Sequence, residues 1–296
     1  MKVIIDNIYS IENTNPSQEC IPYIIDTNSE DGLVVIDPGL YTKFFKELEE
    51  YGFKVDDINH CLITHEHLDH YGGCFELKKL NENIKFYAHE LAVKQIEQKM
   101  ELEFIEENYP GYDYDAIEIT ETVKDNEILK FGTCELSCIH TPGHTPGAVA
   151  YILELDSAKI LFAGDIGGSA LRVHGGNINN YLSSMQKLID LNVDILCEGH
   201  SGVFKPAKNI TEFIIGYKEF NKNFQIFVEV DQSNIEALYN TTLKLYELKE
   251  FDFALDFCNY LIEIAPDNLK AQILYKKIKS HNPPKVDYIK KVLKRT

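Results

Sequence analysis

The stretch Thr64-His65-Glu66-His67-Leu68-Asp69-His70 follows directly on the apolar run Cys61-Leu62-Ile63 and sets three imidazoles and an aspartate side by side. The chain of 296 residues holds only 10 histidines, so this is a concentration and not the average spacing. His65 and His67 alternate along an extended backbone and can face the same way, whereas Asp69 and His70 fall in the turn that follows and can face elsewhere. The stretch is therefore shaped to hold two metal ions, each with its own share of donors. Glu66, between the first two imidazoles, is expected to point away from the metals by the same alternation. It reads as a surface residue or a support for the ligands, and not as a base.

Three further segments carry matching chemistry. Thr141-Pro142-Gly143-His144-Thr145-Pro146-Gly147 follows a strand-like run, and its Pro and Gly content makes it a fixed loop that holds His144 at a sheet end. Phe162-Ala163-Gly164-Asp165 leaves a carboxylate at the end of an apolar strand, where an unpaired charge is unfavourable unless it meets a cation. Glu198-Gly199-His200-Ser201-Gly202 places an imidazole in the same way after Val193 to Cys197. Each signal alone is weak, since a Gly-flanked Asp or His usually marks a capped turn. Together, each ending a strand in an α/β pattern, they point to one site at the strand ends.

The pattern around these segments alternates strand and helix. Val3 to Ile11, Ile21 to Asp26 and Leu33 to Asp37 read as strands, the last closed by the turn signal Asp37-Pro38-Gly39. A helix is expected over Tyr41 to Tyr51, a strand over Ile58 to Thr64, a helix from Gly72 to Leu80, a strand over Ile84 to Ala88 and a helix over Glu90 to Met100. The acidic stretch Glu101 to Asp115, with Tyr109-Pro110-Gly111-Tyr112-Asp113-Tyr114, reads equally as a connector or a substrate-facing lid. Strands are expected at Ile117 to Thr120, Ile128 to Phe131, Glu135 to His140, Val149 to Leu155, Ile160 to Ala163 and Val193 to Cys197, and helices at Asn177 to Leu191 and Lys208 to Phe220.

The seven residues His65, His67, Asp69, His70, His144, Asp165 and His200, in this order, resemble the metal-ligand set of the metallo-β-lactamase-fold hydrolase superfamily, in its dinuclear branch of glyoxalase II thioesterases and lactonases. The likeness spans roughly residues 1 to 220 and implies an α/β fold, an αββα sandwich with the metals at one edge of two packed sheets. It implies that one metal takes His65, His67 and His144, that the other takes Asp69, His70 and His200, and that Asp165 bridges them, with Asp69 and Asp165 as the catalytic carboxylates. Imidazole and carboxylate suit zinc first, with iron or manganese compatible. Two such ions about 3.5–4 Å apart can share a water and lower its pKa toward about 7, so a metal-bridging hydroxide is the expected nucleophile on a small thioester, lactone or other ester. Asp165 in place of a cysteine departs from the true β-lactamases of the superfamily, and His67 in place of a carboxylate departs from its flavodiiron members. A mononuclear iron persulfide dioxygenase, using His65, His144 and Asp165, a phosphodiesterase and a non-catalytic adaptor are the alternatives.

Two residues beyond Asp165 are candidates for substrate binding. Arg172 and Arg295 are the only arginines of the chain, and Arg172 could anchor a substrate carboxylate or phosphate or else tie down its own loop. His174 could donate to an oxyanion. The segment from Gly167 to Gly175 shows neither a glutathione-binding pattern nor the tyrosine that quorum-signal lactonases place shortly after this Asp.

Composition sets the frame. With 44% hydrophobic and 26% charged residues the chain is an ordinary globular protein. Residues 1 to 225 are expected to form the catalytic domain and residues 226 to 296 a helical region in which Leu238, Leu245, Ala254, Cys258, Leu261, Pro266, Asn268 and Ala271 resemble a single tetratricopeptide hairpin, too short to stand alone as a solenoid. The net charge of −18 is uneven: Asp231 to Thr296 carry 11 basic and 9 acidic residues, which leaves 18 basic against 38 acidic before them. A surface that negative argues against a nucleic-acid partner and for a small-molecule substrate. No membrane span is read in the sequence, the N-terminus looks like a strand and not a signal peptide, and seven cysteines without Cys-x-x-Cys pairing fit a reducing, cytoplasmic setting. A homo-oligomer through the C-terminal helices is left open.

Overall fold

The computed structural model describes residues 1–11, 19–40, 44–99, 111–112 and 114–296. Seven strands form the first sheet in sequence order: Lys2–Ile5 (β1), Ile8–Ser10 (β2), Tyr23–Asp26 (β3), Leu33–Ile36 (β4), Ile58–Leu62 (β5), Lys85–His89 (β6) and Glu121–Val123 (β7). The first four pair antiparallel, and the pairs from β4 to β7 are parallel. Parallel pairs need crossovers, and here helices Phe44–Glu50 (α1), Leu68–Tyr71 (α2), Cys74–Leu80 (α3) and Glu90–Gln98 (α4) lie in them. The second sheet runs in the order β13-β12-β11-β10-β9-β8. Its strands are Ile128–Phe131 (β8), Cys134–His140 (β9), Val149–Glu154 (β10), Lys159–Gly164 (β11), Ile195–Glu198 (β12) and Gly202–Phe204 (β13).

Period-two alternation builds the layers. Tyr23, Ile25, Val34 and Ile36 point between the sheets, where they meet Val149, Tyr151, Leu153 and Phe162. Ile24, Leu33 and Val35 face the other way, onto Leu48, Leu77, Ala92 and Ile96 of the covering helices. The outer face of the second sheet, through Ile152, Leu161 and Leu196, is covered by helices Ile178–Asp190 (α5) and Ala207–Gln225 (α6). The result is the expected αββα sandwich.

The C-terminal helices Ile235–Glu247 (α7), Phe251–Ile264 (α8), Leu269–Lys279 (α9) and Ile289–Arg295 (α10) continue that last layer. Leu238, Leu245, Ala254, Cys258, Leu261 and Ala271 are buried in the same apolar cluster as Tyr181, Ile214 and Phe224. The expected boundary after residue 225 falls where α6 runs on into a π-helical turn, Ile226–Val230, with Phe224 and Phe227 both buried. Among the described residues no helix is long and apolar enough to cross a membrane.

Several elements differ from expectation. Val3 to Ile11 is a hairpin and not one strand, because Asn7 takes a left-handed φ of 62° and turns the chain in two residues. Ile117 to Thr120 is not a strand: Ile117 and Ile119 are buried, but the amide of Ile119 bonds to the Glu97 side chain, and the ladder with β6 is formed by Glu121–Val123. The expected helix from Gly72 begins two residues later as α3, and the short helix α2 before it was not expected, so Asp69 and His70 lie in a helical turn. Strand β13 was not expected, and α6 extends five residues past Phe220. Residues 41–43, Met100, 101–110 and Asp113 lie outside the described residues, which leaves most of the expected tyrosine-rich lid unaddressed.

Candidate metal centre

Strands β5, β11 and β12 end at the same edge of the sandwich, as ligand sites of open α/β sheets do, and the loop between β9 and β10 joins them there. These four strand ends deliver the seven residues singled out in the sequence. They form two donor groups, His65, His67, His144 and Asp165 in one and Asp69, His70 and His200 in the other. In the first, His67 Nδ1 lies 3.1 Å from His65 Nε2 and 2.9 Å from His144 Nε2. In the second, His200 Nε2 lies 3.2 Å from Asp69 Oδ2 and 3.3 Å from His70 Nε2. Asp165 stands between them. Its Oδ2 is 3.5 Å from His144 Nε2 and 3.9 Å from His65 Nε2, while Oδ1 is 3.0 Å from His70 Nε2 and 3.4 Å from His200 Nε2.

The hydrogen bonds behind the imidazoles set their tautomers, by the usual logic that the partner of one ring nitrogen decides what the other presents. Asp37, buried at the end of β4, accepts from the Thr64 amide at 2.7 Å, from the Thr64 hydroxyl at 2.6 Å and from His70 Nδ1 at 2.8 Å. His70 therefore presents a bare Nε2 to the centre when neutral. Because the Thr64 hydroxyl gives its proton to Asp37, its oxygen accepts from His65 Nδ1 at 3.1 Å, which leaves His65 Nε2 bare as well. The Ser169 carbonyl can only accept, so His144 Nδ1, 2.9 Å away, carries the proton and its Nε2 is bare too.

Three lone pairs thus converge on a carboxylate. Asp165 Oδ1 is buried and lacks a hydrogen bond of proper geometry. Such an arrangement repels itself unless a cation or added protons fill it, so the residues present fit divalent metal ions. Protons show the same pull. Burial disfavours charge on His70, yet Asp165, Asp37 and Asp69 together raise its pKa to about 10. His200 is raised against the same burial, chiefly by Asp165. Burial and the neighbouring imidazole of His144 instead lower His67 to about 3. Asp165 resists burial and stays well below the ordinary carboxylate range because of His200 and His70.

Two supports join the loops. Glu66 is 2% exposed, not a surface residue, and accepts from the Thr145 hydroxyl at 2.8 Å and the Gly147 amide at 3.1 Å. It ties the His65–His67 loop to the His144 loop, with burial raising its pKa against those bonds. Glu198 accepts from the His200 and Ser201 amides and from the Gly167 amide, which fixes the His200 loop to the one after Asp165. Asp37 and Glu198 were missed as supports in the sequence. The signal for Asp37 was there: an Asp closing an apolar strand, the same mark that singled out Asp165.

The two substrate-binding candidates lie apart from this geometry. The Arg172 side chain is 85% exposed, with Nε 3.9 Å from Glu229, and its amide donates to that same carboxylate, so the contact ties its loop to the π-helical turn after α6. His174 closes the short turn Arg172–His174, and its side chain lies outside the described residues. Of the remaining histidines, His89 and His140 stack on each other at 4.1 Å and His281 stacks on Phe251 at 3.9 Å, while His60 bonds the Tyr87 hydroxyl.

Two packed sheets covered by helices, with a His/Asp cluster at one edge, define a metallohydrolase-type sandwich. The family model of the metallo-beta-lactamase superfamily matches residues 22–200, and the chain belongs to that superfamily. Among its relatives are Glyoxylase B2 of Dictyostelium discoideum, 30% identical over 134 residues and 44% of each chain, and a hydroxyacylglutathione hydrolase of the same organism, 26% identical over 219 residues and 71% of each chain. The chain spans less than half the length of the first two curated relatives, 44% and 47%. A subclass B3 metallo-β-lactamase of Bradyrhizobium japonicum shares the fold with a TM-score of 0.55, at 24% identity over 67% of this chain and 76% of that one.

Proposed function

We propose that the protein is a dinuclear metal-dependent hydrolase of a small thioester. The observation that carries this reading is the convergence of the bare His65, His144 and His70 Nε2 lone pairs on the buried Asp165 carboxylate. His65, His67 and His144 would hold one ion, Asp69, His70 and His200 the other, and Asp165, with one oxygen toward each group, both. Bound there, the ions would acidify a water at neutral pH and polarise the acyl carbonyl, with zinc the first choice for such donors.

The chain's own residues do the rest. Asp37 holds the His70 Nδ1 proton and, through Thr64, that of His65, while the Ser169 carbonyl holds that of His144, so all three imidazoles stay fixed and basic. Asp69 and Asp165 supply negative charge that offsets the ions, and Asp69 can accept a proton from the attacking water. Glu66 is spent on Thr145 and Gly147 and has no free oxygen for a base. The relatives named as hydroxyacylglutathione hydrolases support a thioester over a lactone.

The test is turnover of a thioester panel, hydroxyacyl-glutathione and simple acyl thioesters side by side with lactones and phosphodiesters, by protein of measured metal content. Thioester hydrolysis lost on chelation and regained with zinc supports the reading. No turnover of any thioester by fully loaded protein contradicts it.

A further inference from the structure

The loop after Asp165 is held from behind by one side chain of the helical layer. The backbone there crosses the face of His144 so closely that a Cβ on Gly168 would lie 2.3 Å from the ring, and one residue later the Ser169 carbonyl takes the His144 Nδ1 proton at 2.9 Å. That carbonyl and the Ala170 amide are the two ends of a single planar trans peptide, so they point in opposite directions and turn together. Whatever holds the Ala170 amide therefore aims the Ser169 carbonyl, and with it the imidazole.

Asn221, buried on α6, holds it. The Ala170 amide can only donate, and the Gly168 and Tyr217 carbonyls can only accept, which fixes how the carboxamide lies. Its Oδ1 accepts from the Ala170 amide at 2.8 Å, and its Nδ2 donates to the Gly168 carbonyl at 3.0 Å and to the Tyr217 carbonyl of its own helix at 3.3 Å. The first two bonds grip the peptides on both sides of Ser169, and the third ties the carboxamide to α6. An unbroken run of hydrogen bonds thus leads from α6 through Asn221 and the Ser169–Ala170 peptide to His144. An aspartate would not serve, because its second oxygen would face two carbonyl oxygens.

We propose that Asn221 is a positioning residue for the metal centre, aiming through the Ser169–Ala170 peptide the carbonyl that orients His144. The inference rests on the metal-dependent reading above. Partners behind a ligand typically change metal affinity by about 10–100-fold when removed, and a carboxamide acting through one intervening peptide belongs at the lower end. A buried Asn that only stabilised the loop would lower folding stability without choosing between the ions.

The experiment is zinc titration of the full-length, metal-stripped chain against a chromophoric chelator, with the cobalt(II) absorption spectrum as a second readout. Asn221→Asp keeps the shape and the acceptor for Ala170 but loses the donor, and Asn221→Leu loses both. Each is expected to weaken one of two ions by about tenfold, to shift the cobalt spectrum and to leave the other ion unchanged. The weakened ion should be the one His144 holds: in an Asp69→Ala background, where that ion is the one expected to remain, Asn221→Asp should still weaken binding by about tenfold. Thr241→Val, which removes a buried hydroxyl bonded to the Ala237 carbonyl of its own helix, should bind as the wild type does. Unchanged affinity and spectrum in Asn221→Asp, equal weakening of both ions, no loss in the Asp69→Ala background, or an equal loss in Thr241→Val would each overturn the inference. Unfolding of both Asn221 variants, seen by circular dichroism, would overturn it too, by giving the side chain a role in the whole layer. Wild-type protein that binds no metal would overturn the proposed function and this inference with it; two-ion wild-type binding with an indifferent Asn221→Asp removes the inference alone.

Discussion

The donors of residues 65–70 and those at 144, 165 and 200 reach the same point by opposite routes. The first four sit on one loop and one helical turn after β5, and a single carboxylate behind them, Asp37, orients two of the imidazoles. The other three come from separate strand ends, and each is steadied by a different partner: a carbonyl for His144, Glu198 for the His200 loop, and the helical layer for the peptides after Asp165. One region is built by local sequence, the other by the assembly of the whole sandwich. It follows that damage to the first should be concentrated and severe, while damage to the second should be divisible.

The largest expected effect comes from the residue that belongs to both groups. Asp165→Asn removes charge from between them, and hydrolysis should fall by at least about 100-fold with metal content reduced at both positions, as read by elemental analysis beside a thioester assay. His67→Ala should lower hydrolysis nearly as far. Next comes Asp37→Ala, which strips the orienting acceptor from His70 and, through Thr64, from His65. Metal affinity is expected to drop by about 10–100-fold at both ions, whereas no single change behind His144 or His200 should disturb more than one. A chelator competition titration distinguishes these patterns.

Glu66→Ala attacks the tie between the regions. It leaves the buried Thr145 hydroxyl and Gly147 amide without their acceptor, a loss of about 1–3 kcal/mol in stability, measured by denaturant unfolding of the metal-free protein. Glu66→Gln keeps one acceptor and should lose less.

The smallest effect is the pH dependence of metal-free stability, and here two imidazoles of the first region have opposite signs. His70, raised to about 10 in the folded chain, keeps a proton that the unfolded chain releases near its ordinary 6.5, so its contribution is complete below that value and fades as pH rises toward 10. His67, lowered to about 3, is neutral in the fold, so its contribution is complete above 6.5 and fades as pH falls. The melting temperature of stripped protein should therefore decline on both sides of neutrality. In Asp37→Ala, where one of the carboxylates that hold the His70 proton is gone, the alkaline decline should shrink and the acid one should remain.

The same contrast explains what could be read in the sequence. The cluster at 65–70 is legible because its donors are neighbours in the chain, and His144, Asp165 and His200 are legible because each follows an apolar strand and sits beside glycine. Asp37 carries the mark of Asp165 but is followed by Pro38-Gly39, and a turn explained it without a role. The sandwich follows from alternation in β3, β4 and β10, whereas β7 starts later than expected because Ile117 and Ile119 are buried like strand residues while the Ile119 amide bonds the Glu97 side chain. The bonds of Asn221 to the Ala170 amide and the Gly168 carbonyl join residues some fifty positions apart, and no local pattern announces contacts of that kind.

The measurement that bears most directly on a site shared by two regions is metal stoichiometry, taken on the wild type and on Asp69→Ala after reloading with zinc. Two ions per chain in the wild type and one in the variant are expected. One ion per chain in both, with thioester hydrolysis unchanged, would contradict a dinuclear centre.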